Sequence, residues 1–213
     1  MPREERHLAR ADPRLGRLIA RIVVIDGIQR YPSSPADSHF EALAKSVVYQ
    51  QLGKGAAGSI YGRFASLFLD GKPTPAAMLA LADEALLGIG LSRSKLRSIR
   101  ELAVHISDGT LDLDDLSAVS DSDIAARLTT QWGLGEWTAQ MFLMFRLGRP
   151  DVLPTRDVGI QRGLRIAHGL RRRAAPGFVA RMGKRWIPYR SLACLYLWAA
   201  VDQKLDPHPL NPA

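Results

Sequence analysis

Gly133-Leu134-Gly135 stands directly ahead of an apolar run that opens at Trp137. Two glycines around one apolar residue make a tight turn whose backbone N–H groups stay uncovered. The helix N-terminus behind them adds partial positive charge, so a phosphate can dock there. Leu134 is expected to plug the turn into the core. The same residues also describe an ordinary tight connection between two helices. Further on, Asp157 opens a run of helical spacing after the extended stretch bracketed by Pro150 and Pro154. By type and place it is a helix N-cap, and the helix dipole with its free N–H groups keeps such a carboxylate ionised. Cys194 is the one cysteine, which excludes an intrachain disulfide and any zinc or iron–sulfur site built on several thiolates. Flanked by Leu192, Ala193 and Leu195, it reads as a buried, inert thiol. His7, His39, His105, His168 and His208 show no H-E-x-x-H or paired metal spacing, and each reads as surface or core. Asp112, Asp114 and Asp115 read as a polar helix start and not as a metal site.

The elements that must carry these residues are helices, with hardly any alternating strand pattern. Asp12-Pro13 and Thr74-Pro75 each pair a cap with proline at the first helical position. Phe40, Leu43, Ala44, Val47, Val48 and Gln51 fall at helical spacing, with Ser38 as cap. Gly53 and Gly55 are expected to interrupt that helix, and residues 56–69 to carry the next. A Gly88-Ile89-Gly90 break precedes a helix through Leu96, Ile99 and Leu102, whose outer face should carry Arg93, Lys95, Arg97 and Arg100. Asp108-Gly109 is a turn. Asp121 or Ser122 should cap a helix ending near Thr129, and residues 137–147 read as a helix apolar almost all round and therefore buried. The last helices are expected to run from Asp157, from Pro176 and from Tyr189. Residues 31–37 read as a linker and residues 207–213 as a loosely held tail.

The chain has 213 residues, 29 Lys+Arg against 21 Asp+Glu, a formal net charge of +8 and a sequence pI of about 10.1. A hydrophobic fraction of 46% with mean hydropathy −0.07 is that of a globular chain with a sizeable core. So basic a balance points to a polyanionic partner, since each neutralised phosphate releases counterions. No run of about 18 apolar residues exists to cross a membrane. Residues 1–11 carry both signs of charge and no apolar h-region, so no secretory signal is expected and the protein is expected in the cytoplasm.

Taken in order, hairpin, apolar helix, proline loop and Asp157 resemble the helix-hairpin-helix DNA glycosylase superfamily, and within it the 3-methyladenine DNA glycosylase II type. The carrying segments are Gln131-Trp132-Gly133-Leu134-Gly135-Glu136-Trp137-Thr138-Ala139 and Leu153-Pro154-Thr155-Arg156-Asp157-Val158-Gly159-Ile160-Gln161. Val47-Val48-Tyr49-Gln50-Gln51-Leu52, Gly90-Leu91-Ser92-Arg93-Ser94-Lys95 and Trp186-Ile187-Pro188-Tyr189-Arg190-Ser191 with Leu197-Trp198 agree. The resemblance implies an all-α fold: one glycosylase unit over residues 1–213, built as two interleaved helical lobes. The hairpin would lie at about 121–147 and the active-site cleft between the lobes.

The resemblance further implies that Asp157 is the catalytic carboxylate, stabilising a sugar of oxocarbenium character. Trp137 occupies the place where glycosylases that also nick the backbone carry a Schiff-base lysine. A monofunctional enzyme is therefore expected, one that excises alkylated purines from duplex DNA by base flipping and leaves an abasic site. Trp137, Trp198 and Tyr49 would line the base pocket. Gln51 or Leu52 would fill the gap left by the flipped nucleotide. Gly133, Gly135, Thr138 and Arg190 would meet the DNA backbone, with Arg162, Arg165, Arg171 to Arg173, Lys184 and Arg185 as further nonspecific contacts or solvated charges. Gly53 and Trp132 depart from the family's serine and proline. No cofactor is required, but the carbonyls of Thr129, Gln131 and Leu134 could hold a structural Na+ or K+. Damaged duplex DNA is the implied partner, and a monomer the implied state. The competing readings are a bifunctional glycosylase/lyase and a non-catalytic helix-hairpin-helix binding module, which would have no use for Asp157, Trp137 and Trp198 together.

Overall fold

A computed structural model describes residues 1–22 and 38–206. The expected linker at 31–37, the tail at 207–213 and His208 lie outside the described residues. Among the described residues the secondary structure is helical throughout, with twelve α-helices and two short 3₁₀ turns. The chain divides into two compact units, Met1–Pro32 with Gly148–Ala213, and Ser33–Leu147.

The first unit joins the two ends of the sequence. It holds α1 (Arg3–Ala11), α2 (Pro13–Arg21), α10 (Val158–His168), α11 (Pro176–Trp186) and α12 (Arg190–Asp202). Asp12 caps α2 as expected, its Oδ1 accepting from Arg14 N–H at 3.1 Å and Leu15 N–H at 3.2 Å. Leu15, Leu18 and Ile19 then fall on one buried face. The charged first helix, α1, has no counterpart in the sequence reading. It buries Leu8 and also Glu5, which accepts the Tyr196 hydroxyl at 2.6 Å. α10 and α12 pack with unusual closeness. A Cβ at Gly163 would fall 2.2 Å from the Leu197 carbonyl oxygen, so only glycine lets the two backbones meet there.

The second unit holds α3 (His39–Tyr49), α4 (Lys54–Ala65), α5 (Pro75–Ala80), α6 (Asp83–Gly88), α7 (Arg93–Ser107), α8 (Asp121–Thr129) and α9 (Glu136–Phe145). Ser38 caps α3 by accepting the Glu41 N–H at 3.1 Å, and Thr74 caps α5 by accepting from Ala77 at 3.2 Å. Met141, Phe142, Leu143 and Met144 are all buried, so the second half of α9 is enclosed all round, while Glu136 at its start is exposed. Leu134 is buried between α8 and α9, plugging the turn as expected.

Four expectations need correction. Gly55 does not interrupt a helix but lies in the first turn of α4, which ends at Ala65 and not at residue 69. Ser120, one residue ahead of the expected cap, accepts the Asp123 N–H and starts α8. The helix opened by Thr74-Pro75 is expected to run to the Gly88 break, but Leu81-Ala82 divides it into α5 and α6. Lys95 and Arg100 do not point outward from α7: Lys95 reaches the carbonyls of Val48 and Gln50, and Arg100 those of Met78 and Leu81.

Candidate active site

In the first unit, the N-terminus of α10 builds a fixed carboxylate. Asp157 Oδ1 accepts the Ile160 N–H at 2.8 Å and the Trp198 indole N–H at 2.9 Å. The N-cap reading and the functional reading of Asp157 thus meet on one oxygen. Gly159 makes room for this pair, because a Cβ there would sit 2.6 Å from the Trp198 ring and 3.0 Å from Asp157 Oδ1.

The chain leading to Asp157 is tied down on both sides. Gln161, which is buried, donates from its amide to the Thr155 carbonyl at 3.0 Å. Ser191 Oγ accepts the Val152 N–H at 3.0 Å and donates to the Arg149 carbonyl at 2.7 Å. Arg190 forks onto Asp151, at 2.7 Å from Nε and 2.9 Å from Nη2. The structure thus gives Arg190 an internal partner, beyond the DNA contact expected of it. Cys194 is fully buried, and burial with the nearby Asp157 charge pushes its thiol pKa far up, which keeps it protonated and inert.

In the second unit, Gly133 takes φ +78°, a left-handed conformation natural to glycine, and a Cβ there would meet Ser98 Oγ at 2.6 Å. That hydroxyl donates to the Trp132 carbonyl at 2.8 Å. Gly135 is the N-cap of α9 and brings no capping side chain of its own. Gln50, which sequence reasoning passed over, ties the end of α3 to this hairpin. Its amide donates to the Gly133 carbonyl at 2.9 Å and to Thr138 Oγ1 at 3.0 Å. The Thr138 side chain is therefore buried against Gln50. Lys95 Nζ donates to the carbonyls of Val48 and Gln50 at 2.8 and 2.9 Å, closing the C-terminus of α3, and burial pushes its pKa down.

Directly beyond this clasp the chain turns outward. Gln51 has φ +58° and is exposed, and Leu52 is 39% exposed, a large apolar side chain facing solvent. Trp132 is 50% exposed with the Arg97 guanidinium 4.0 Å over its ring. Trp137, in the first turn of α9, and Tyr49 are both half-buried, and Tyr49 meets Tyr61 edge-on at 6.4 Å. The structure thus brings Gln50, Gly133 and Thr138 together in one unit, and Asp157, Gly159 and Trp198 in the other. No group of three or more His, Cys, Asp or Glu fit for a metal exists among the described residues.

The glycine hairpin between α8 and α9 and the capping carboxylate of Asp157 at the start of α10 both lie inside one family match. Residues 44–188 match the model of the HhH-GPD superfamily of base excision DNA repair proteins, and the chain belongs to that superfamily. DNA-3-methyladenine glycosylase 1 of Schizosaccharomyces pombe is 30% identical over 214 aligned positions, covering 100% of this chain and 92% of that protein. The YfjP protein of Bacillus subtilis is 32% identical over 171 residues, covering 78% of this chain and 60% of YfjP, so the chain spans less than two thirds of that relative. The solved S. pombe 3-methyladenine DNA glycosylase in complex with abasic DNA superposes with a TM-score of 0.88 at 30% identity, over 98% of this chain and 100% of that one.

Proposed function

We propose that this protein is a monofunctional DNA glycosylase that excises alkylated purines of the 3-methyladenine class from duplex DNA in base excision repair. The observation that carries the reading is the carboxylate of Asp157, held at the α10 N-terminus by the Ile160 N–H and the Trp198 indole. Departure of the base leaves positive charge on the sugar, and an ionised carboxylate fixed in advance stabilises it without reorganising. An alkylated purine is already cationic, so it leaves readily and gains from an aromatic face, which Trp137 and Tyr49 offer. Trp137 has no amine with which to form a Schiff base, so base release without strand cleavage follows.

The N-terminus of α9, entered through Gly133 and Gly135, suits a phosphate of the damaged strand. Gln51 and Leu52, exposed beyond the Lys95 clasp, suit the space a flipped nucleotide vacates. The hairpin also fits a monovalent cation. Thr129 is the last residue of α8 and Leu134 precedes the cap of α9, so both carbonyls lie outside the intrahelical ladders. The Gln131 carbonyl accepts the Leu134 N–H at 3.1 Å, and its second lone pair suits an ion. A bound Na+ or K+ would add positive charge beside the phosphate, held by Thr129, Gln131 and Leu134. No helix among the described residues is long and apolar enough to cross a membrane, and the reading places the protein with DNA in the cytoplasm, acting as a monomer.

Incubation with methylated duplex DNA should release free base and leave abasic sites, with no borohydride-trapped adduct. Asp157→Asn should bind the duplex yet lose roughly 10²–10³-fold in base release. Near-wild-type release in that variant would sink the mechanism, and trapping would replace it with a lyase.

A further inference from the structure

Arg162 and Arg165 lie one turn apart on α10, and Arg173 follows in the connection to α11. The three line an open cavity of about 560 Å³ together with the apolar side chains of Ile166 and Val201. Two other arginines of this unit are spent on the fold: Arg190 on Asp151, and Arg14 on the His168 carbonyl at 3.3 Å. None of the three has a side-chain hydrogen bond or ion pair among the described residues. Three guanidinium groups around one cavity repel each other when nothing acidic is bound between them, whereas an anion with several oxygens satisfies their forked donors together.

We propose that Arg162, Arg165 and Arg173 form a second phosphodiester site, which grips the DNA backbone to one side of the nucleotide at Asp157. The inference rests on reading Asp157 as the place where the damaged nucleotide sits. The same two helices that hold Asp157 and Trp198 carry this cavity. Arg162 is five residues along α10 from Asp157 and Arg165 eight, or about 7.5 and 12 Å at 1.5 Å per residue. With a phosphate every ~3.4 Å of rise on each strand, that reach corresponds to a few nucleotides from the lesion. The cavity is open, as a polymer passing across it requires, and Ile166 and Val201 offer an apolar floor for deoxyribose. A free phosphate or pyrophosphate would present the same oxygens, so the test separates the two sources.

The full chain and a variant carrying Arg162→Gln, Arg165→Gln and Arg173→Gln are compared on undamaged duplex, where catalysis plays no part. The slope of log K against log salt should fall by about 2 to 3 in the variant, near 0.9 for each phosphate that is no longer neutralised. An unchanged slope overturns the proposal. Duplexes shortened on one flank of a lesion should lose affinity for the wild-type chain while the variant is indifferent to that truncation. Equal losses for both proteins on both flanks would also overturn it. Thermal stabilisation by pyrophosphate that the variant lacks, with an unaltered salt slope on DNA, would assign the cavity to a small phosphate ligand instead. Base release on methylated DNA is read separately. Its absence in the wild-type chain would count against the reading of Asp157 and leave the salt slope standing.

Discussion

Asp157 Oδ1 takes two donors at once, one from its own helix and one from the Trp198 indole, 41 residues away. The first bond is what any capping aspartate makes, and the second turns a cap into an oriented carboxylate. Trp198 is expected from the sequence as a wall of the base pocket, and its contact with Asp157 gives it a positioning part as well. Trp198→Phe keeps an aromatic ring and removes the donor. A hydrogen bond to a charged group contributes about 1.5–3 kcal/mol, so base release should slow roughly 10- to 100-fold with duplex binding retained. A single-turnover rate within about twofold of wild type would show that the indole N–H does not position the carboxylate. Gly159→Ala should injure the same rate, since its Cβ would meet the indole at 2.6 Å. Gly177→Ala, with no atom within 4 Å of the new Cβ, serves as the neutral comparison.

At the scale of elements, the end of α3 is held by side chains from two other helices and the hairpin. Lys95 from α7 takes the carbonyls of Val48 and Gln50, and Gln50 itself bridges to Gly133 and Thr138. Lys95→Met keeps the stem and removes the ammonium, leaving the α3 carbonyls without their charged donor. Urea unfolding at neutral pH should show a loss of about 1.5–3 kcal/mol, together with weaker binding to duplex containing an abasic site. Unchanged values in both would mean that the clasp is incidental. Much of the element order was legible because caps are local: Asp12-Pro13, Ser38 and Thr74-Pro75 announce their helices within a single turn. Leu134 and the burial of α9 were legible from composition. The inward turns of Lys95 and Arg100 were not. Long charged side chains at helical spacing read as a solvated face, and only the neighbouring helix ends reveal carbonyls waiting for them. Gln50 escaped for a similar reason, since its partners lie 83 and 88 residues away.

At the scale of the whole chain, the first unit is closed by residues from both ends of the sequence, and Asp12 is the knot. Beyond capping α2, its Oδ2 lies 3.0 Å from His168 Nε2 at the end of α10 and accepts the Trp186 indole N–H of α11 at 3.2 Å. All three residues are buried. In the sequence only the cap is visible, because partners 156 and 174 residues distant leave no local pattern. Burial works against ionisation of Asp12, but the His168 hydrogen bond and charge, the Leu15 N–H and the Trp186 indole outweigh it, holding its pKa below 3.8. A carboxylate with a folded pKa below its unfolded one stabilises the fold fully above the unfolded value. That contribution fades as pH falls from 3.8 through the folded value. Asp12→Asn should therefore cost about 3–5 kcal/mol in urea unfolding at neutral pH, the penalty for breaking a buried charged contact. The gap between variant and wild type should narrow steadily as acid is added below pH 3.8. A gap that stays constant down to about pH 2 would mean that the carboxylate serves by shape alone, and that its charge plays no part in joining the two ends of the chain.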